Sequence, residues 1–150
     1  MSALENPVLG TLAPNFSLQD QSGAVRNLYH ALRQKSVFLF FYPYDQSPSC
    51  TKQLCTINNE LTLFQKDNLV AWGINNASAE SHKLFADTRR LNLPLLSDEG
   101  YEVSRKYDSL FSFGPIKVIR RTVVGISRDR KITFYAHGDM SLKDVLNQLI

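Results

Sequence analysis

Val37-Phe38-Leu39-Phe40-Phe41-Tyr42-Pro43-Tyr44-Asp45-Gln46-Ser47-Pro48-Ser49-Cys50-Thr51-Lys52-Gln53-Leu54-Cys55 is the stretch that decides the architecture. Its opening run, Val37 to Tyr42, is apolar throughout and rich in aromatic side chains, the pattern of a strand buried on both faces. Pro43 interrupts that run, and a turn-rich segment, Tyr44 to Ser49, follows. Beyond it, Leu54, Ile57, Leu61 and Phe64 recur at three- and four-residue spacing, which predicts a helix. Cys50 therefore falls where a strand-to-helix loop becomes a helix. Unpaired N–H groups and the positive dipole end favour an anion at such a point.

Working outward, Leu69 to Ile74 reads as a second buried strand, and Asn76 to Ser78 supply cap chemistry for a helix carrying Leu84, Phe85, Thr88 and Leu91. A short helix is expected after Ser97 and Asp98, ending near Tyr107. Thr122 to Ser127 and Lys131 to Tyr135 form a hairpin through Arg128-Asp129-Arg130. A closing helix runs from Ser141, a natural N-cap, to Ile150, with Leu142, Val145, Leu146 and Leu149 on one side. Upstream, Phe16 to Leu18 and Val25 to Leu28 flank Gln21-Ser22-Gly23 as an N-terminal β-hairpin. Parallel strands joined by a helix, then an antiparallel pair and a terminal helix, make an α/β fold of thioredoxin-like type, a central mixed sheet flanked by helices. Residues 1–150 show no linker or repeat, so a single domain is expected.

Composition removes several function classes. With 43% hydrophobic and 21% charged residues the chain has material for a core and is no disordered tail. The longest apolar run, Val37 to Tyr42, is far short of the roughly 20 residues of a membrane span. The opening MSALENPVLGTLAPNF lacks a basic segment followed by an apolar one, so a cytoplasmic location is expected. A net charge of +3 is spread thinly; the local excess at Lys117, Arg120, Arg121, Arg128, Arg130 and Lys131 is broken by an apolar strand and argues against nucleic-acid binding. His30, His82 and His137 are scattered, and the cysteines Cys50 and Cys55 are too few for a structural zinc site; no metal or other cofactor is expected. Tyr42 and Trp72 read as core.

Cys50 and Cys55 lie too close in sequence for an effective staple, and without an export signal redox chemistry is the better reason for the pair. Pro43, Ser47 and Cys50 match the Pro-x-x-x-Thr/Ser-x-x-Cys motif of peroxiredoxins. The wider string through Cys55 resembles the bacterioferritin-comigratory or Q-type branch. Leu12-Ala13-Pro14-Asn15-Phe16-Ser17-Leu18, Leu95-Leu96-Ser97-Asp98 and Arg121-Thr122 support the likeness, which extends from about Gly10 to the C-terminus. The resemblance implies a thiol peroxidase acting on hydrogen peroxide and organic hydroperoxides. Cys50 would be the peroxidatic cysteine and Cys55 the resolving one, with thioredoxin or a similar dithiol as reductant. Departures from the pattern are Ser47 where Thr is usual, Ser49 where Gly is common, and Gln53 where Glu is frequent.

Physical chemistry assigns tasks within that resemblance. A thiol of ordinary pKa ~8.5 is about 3% ionised at pH 7, and one at ~6 about 90%, a gain of roughly thirty-fold. Faster chemistry needs donors for the charge that develops as O–O breaks, and Arg121, Ser47 and backbone N–H groups are suited to that. Arg120 is the alternative if the strand register differs by one. Pro43 would shield the sulfur, and Phe111, Phe113 and Pro115 would line the mouth of the pocket or simply pack. Residues five apart in an ideal helix have Cα atoms ~8.7 Å apart and diverge by ~140°, beyond the ~6.8 Å reach of a disulfide, so the helix is expected to unwind for Cys55 to meet Cys50. The competing class is a thioredoxin-like disulfide reductase or redox-regulated binding module. Against it stand the Cys-x4-Cys spacing and Arg121 where thioredoxins place a proline. A monomer is expected.

Overall fold

The apolar run from Val37 forms the middle strand of a mixed sheet. A computed structural model describes residues 8–63 and 68–149. In chain order the elements are β1 (Ser17–Gln19), β2 (Val25–Asn27), α1 (Leu28–Ala31), β3 (Ser36–Phe41), α2 (Pro48–Leu63), β4 (Leu69–Asn75), α3 (Ala79–Arg89), β5 (Leu95–Ser97), α4 (Glu102–Lys106), β6 (Leu110–Phe113), β7 (Ile116–Ile119), β8 (Thr122–Ile126), β9 (Ile132–His137) and α5 (Leu142–Leu149). The five-stranded sheet has the order β5-β4-β3-β8-β9. β3, β4 and β5 run parallel, and β8 and β9 are antiparallel to their neighbours. The mixed α/β sandwich expected from the sequence is thus present, with the β1–β2 hairpin beside it.

From Val37 onward β3 is apolar on every residue because both its faces are covered. Phe38, Phe40 and the following Tyr42 point into a core shared with Cys50, Leu54 and Ile57 of α2, Phe85 of α3, and Leu142 and Val145 of α5. Val37, Leu39 and Phe41 face the opposite core, with Phe16, Leu28, Trp72, Val103 and Tyr107. The period-two alternation of a strand therefore feeds two cores. Tyr42 and Trp72 are buried, as read. Gly73 on β4 makes room for this packing: a Cβ there would lie 2.9 Å from Leu95 Cδ2 and 3.1 Å from Tyr42 Cε1.

Several expectations need correction. The segment Val25 to Leu28 is not all strand, because the Asn27 side chain accepts a hydrogen bond from the His30 backbone N–H at 2.9 Å and starts α1 at Leu28. β5 adds a third parallel strand that its short length hid. On α3 the buried residues are His82, Phe85 and Ala86, whereas Leu84 is exposed and Leu91 lies beyond the helix end. The segment around Phe111, Phe113 and Pro115 forms a separate β6–β7 hairpin that turns at Gly114 with φ +57°, and Phe111, Phe113 and Ile116 are exposed on it. The basic residues separate to the two ends of β8, where Arg128 donates to the Arg33 carbonyl and Arg130 stacks over Tyr29.

Ser141 does cap α5, reciprocally with Asp144: each side chain accepts from the other's backbone N–H, both at 3.1 Å. Phe64 and the expected helix end at Ile150 lie outside the described residues, as does the Leu149 side chain. Among the described residues no helix is long and apolar enough to cross a membrane.

Candidate active site

The backbone of β3 ends in a way that fixes where Cys50 sits. Tyr42 makes the last ladder bond, its N–H donating to the Ile74 carbonyl at 3.1 Å, and Pro43 has no N–H with which to continue. Gln46 takes a left-handed conformation at φ +65°, worth on the order of 1–2 kcal/mol of strain in a non-glycine residue. Ser47 then caps α2: its Oγ accepts from the Cys50 N–H at 3.3 Å while its carbonyl accepts from Thr51 N–H at 2.8 Å. Pro48 occupies the first helical position, where its fixed φ and missing N–H do no harm. Cys50 follows in the first turn. That turn holds no acidic residue, so the dipole's positive end is not neutralised there.

Arg121 completes the arrangement. It precedes β8 and lies on the same sheet face as Val123, which belongs to the core that contains Cys50. Its Nη2 donates to Cys50 Sγ at 3.1 Å and to Ser49 Oγ at 2.6 Å, and its Nη1 donates to Gln53 Oε1 at 2.7 Å. Arg121, not Arg120, is therefore the guanidinium at the sulfur. Gln53 is held in turn, its Nε2 donating to the Met140 carbonyl at 3.1 Å. The neutral amide thus orients the guanidinium without drawing its charge into an ion pair. Ser49 and Gln53, noted in the sequence only as departures, are the residues that aim Arg121.

Cys50 is fully buried and Cys55 partly so; both are free thiols in α2. Pro43 is half-buried at the end of β3, and Ser47 half-buried at the cap. Phe111 and Phe113 lie at the surface of the β6–β7 hairpin. Among the described residues no group of His, Cys, Asp and Glu side chains is arranged to hold a metal ion. A hollow of about 280 Å³ lined by Lys35, Leu69 and Leu93 lies at the far end of β3 and contains neither cysteine. The arrangement sets a sulfur nucleophile in the first turn of a helix with a guanidinium donating to it, while the Ser47 Oγ accepts from the Cys50 N–H and faces the Tyr44 carbonyl at 3.5 Å. Such a cluster stabilises a thiolate and any anion leaving from its vicinity.

Sequence reasoning missed a second cluster behind the loop. The Asp45 carboxylate accepts from Tyr42 Oη at 2.7 Å, Asn75 Nδ2 at 3.1 Å and Ser81 Oγ at 2.7 Å, and pairs with His82 Nδ1 at 2.8 Å. Burial alone would raise the Asp45 carboxyl, yet the His82 hydrogen bond and charge, with the Tyr42 and Ser81 hydroxyls, hold it below the ordinary carboxylate value. Burial, with Asp45 beside it, pushes the Tyr42 phenol well up, so Tyr42 stays a donor. One signal was available: His82 occupies the apolar stripe of α3, three residues before Phe85, and a polar residue there requires a partner.

The model of the AhpC/TSA family matches residues 9–135. The chain belongs to the AhpC/TSA family. Within this AhpC/TSA chain, 98 residues are 41% identical to a chloroplastic peroxiredoxin Q of Triticum aestivum, covering 65% of this chain and 45% of that protein. It thus spans about half the length of the curated relatives it matches. Among solved structures, peroxidoxin BcpB of Mycobacterium tuberculosis superposes with a TM-score of 0.86 at 28% identity, covering 95% of this chain and 94% of that one. Peroxiredoxin Q of Xanthomonas campestris shares the fold, with a TM-score of 0.80 at 22% identity over 89% of this chain and 87% of that one. The peroxiredoxin resemblance read from Pro43, Ser47 and Cys50 is borne out by these relatives.

Proposed function

We propose that the chain is a thiol peroxidase that reduces hydrogen peroxide and organic hydroperoxides. The observation that carries the reading is the guanidinium of Arg121, 3.1 Å from a buried cysteine sulfur at a helix N-terminus. The Cys50 thiolate attacks the terminal oxygen of the hydroperoxide; an S–O bond forms and O–O breaks. The departing alkoxide or hydroxide takes a proton and leaves as alcohol or water. Arg121 and the Ser47 hydroxyl steady that charge, and Pro43 shields the sulfur. Cys50 is left as a sulfenic acid. Cys55 then attacks it, S–S forms, S–O breaks and water leaves. Thioredoxin or a similar dithiol reduces the disulfide back to two thiols.

Because both cysteines belong to α2, the resolving step requires that helix to open at its first turns. The proposal treats residues 1–150 as one domain, monomeric and cytoplasmic. Sedimentation and cell fractionation test the last two points, since the wheat relative's name places that protein in the chloroplast.

The functional test is peroxide-dependent oxidation of a dithiol reductant. It is expected to vanish in Cys50→Ser, and Cys55→Ser is expected to consume a single equivalent and stop at the sulfenic acid. Reduction of insulin disulfides without peroxide would instead establish the disulfide-reductase reading.

A further inference from the structure

The loop that delivers Cys50 is held almost entirely by one buried side chain. Among the described residues, no backbone-to-backbone hydrogen bond involves residues 43–46. What fixes the segment is Asp45, whose side chain is only 5% exposed and whose carboxylate is tied to β3, β4 and α3 through Tyr42, Asn75, Ser81 and His82. Tyr42, Asn75 and Ser81 all donate to it. Asn75 is oriented by its own Oδ1, which accepts from the Ala77 N–H at 2.9 Å, so its amide nitrogen is the atom facing Asp45. A carboxylate surrounded by donors is ionised.

His82 is fully buried, and each of its ring nitrogens faces an acceptor. Nδ1 lies 2.8 Å from Asp45 Oδ2 and Nε2 lies 3.0 Å from the Leu96 carbonyl of β5; the Tyr42 hydroxyl, 3.5 Å from Nδ1, donates to Asp45 at 2.7 Å instead. A neutral imidazole has one donor and one lone pair. Either neutral tautomer would aim its lone pair at an oxygen at hydrogen-bond distance. Only the imidazolium satisfies both neighbours, and its charge compensates the buried carboxylate beside it.

We propose that His82, held as an imidazolium between Asp45 and the Leu96 carbonyl, is a positioning residue for the chemistry of Cys50. The pair pins the loop to α3 and β5. Two residues beyond Asp45, past the left-handed Gln46, Ser47 must meet the Cys50 N–H, and Arg121 must meet the sulfur behind it. His82 touches no substrate; it acts through Asp45. The proposal rests on the peroxidase reading for its effect on rate. The protonation state of the ring stands independently of that reading.

Nitrogen-15 NMR of the reduced, unmodified protein at neutral pH is the first test. Both ring nitrogens of His82 are expected to carry protons, and a bare nitrogen on either side would overturn the inference. The second test is rapid mixing of His82→Gln with hydrogen peroxide, with each step followed separately. Oxidation of Cys50 is expected to slow by about 10–100-fold, the effect of misplacing a reacting group by about an ångström. The attack of Cys55 on the sulfenic acid is expected to proceed near the wild-type rate, since α2 must open for that step in any case. Adding Asp45→Asn is expected to recover part of the lost rate, because the uncompensated buried charge is removed. A wild-type rate for Cys50 oxidation in His82→Gln, or equal slowing of both steps, overturns the proposal. Should His82→Gln fail to fold, the NMR result on the native protein decides. An inert wild-type protein would refute the peroxidase reading, and with it the effect on rate, while the ring nitrogens still report the lock.

Discussion

Replacing Arg121 by Met removes a guanidinium that donates to Cys50 Sγ at 3.1 Å, to Ser49 at 2.6 Å and to Gln53 at 2.7 Å. A single hydrogen bond to a charged group contributes about 1.5–3 kcal/mol. Removal of a donor aimed at an oxyanion in a transition state typically costs about 2.7–4 kcal/mol, a factor of 10²–10³ in rate. The second figure is the one to use, because the negative charge spreads from sulfur to the leaving oxygen within reach of the same group. Loss of thiolate accounts for at most about thirty-fold at pH 7, the span for any thiol between ~90% and ~3% ionised. A residue of about 3–30-fold is left for the transition state. Stopped-flow oxidation at pH 7 and at about pH 9.5, where even an ordinary thiol is ~90% ionised, separates the two. Arg121→Met is expected to be 10²–10³ slower at the lower pH and still several-fold slower at the higher. Arg121→Lys should fall between, since a point charge cannot hold Ser49, Gln53 and the sulfur together. A deficit that disappears completely at high pH, or no deficit at all, refutes the reasoning.

Disulfide formation is expected to raise amide exchange in the first turns of α2 and in the segment around Met140, which Gln53 holds. Equal protection in the reduced and oxidised proteins, compared by mass spectrometry, would show that α2 stays closed. The folded Asp45 carboxyl lies below its ordinary value, so its contribution to stability is full above about pH 4 and is lost as pH falls through the folded value. Asp45→Asn should accordingly lose about 1–3 kcal/mol at neutral pH, with the gap to wild type narrowing in acid melts. Gly73→Ala sets a Cβ 2.9 Å from Leu95 Cδ2 and 3.1 Å from Tyr42 Cε1, and should lower stability by about 1–3 kcal/mol in denaturant titration. Its displaced Tyr42 ring should also slow Cys50 oxidation.

The sequence was most legible where one residue type has one physical use. Pro43 closing a strand and an apolar run too continuous for a half-exposed strand stand where they were read, whereas Pro48 and Ser49, read as loop, begin α2 behind the Ser47 cap. Arg121 and Arg120 could not be separated in the sequence, because a register shift of one exchanges the two faces; the contact of Arg121 with Cys50 Sγ separates them. Less visible were features that depend on distant partners. His82 meets Asp45 across thirty-seven positions of sequence, and nothing local announces that both its nitrogens are engaged. α3 turns His82, Phe85 and Ala86 inward and leaves Leu84 exposed, an orientation set by where the helix meets the sheet rather than by hydrophobicity. The β6–β7 hairpin hid behind its own exposed aromatics, expected to line a pocket mouth or to pack, and β5 was too short for any periodicity to register.

Reaction of the reduced protein with one equivalent of hydrogen peroxide, followed by quenching and mass analysis of the α2 peptides, measures the central step itself. The account predicts that Cys50 is oxidised at least about a hundredfold faster than free cysteine, the effect of donors aimed at the leaving oxygen, and then bridges to Cys55. Oxidation at the rate of free cysteine, or undiminished peroxide consumption by Cys50→Ser, would contradict it.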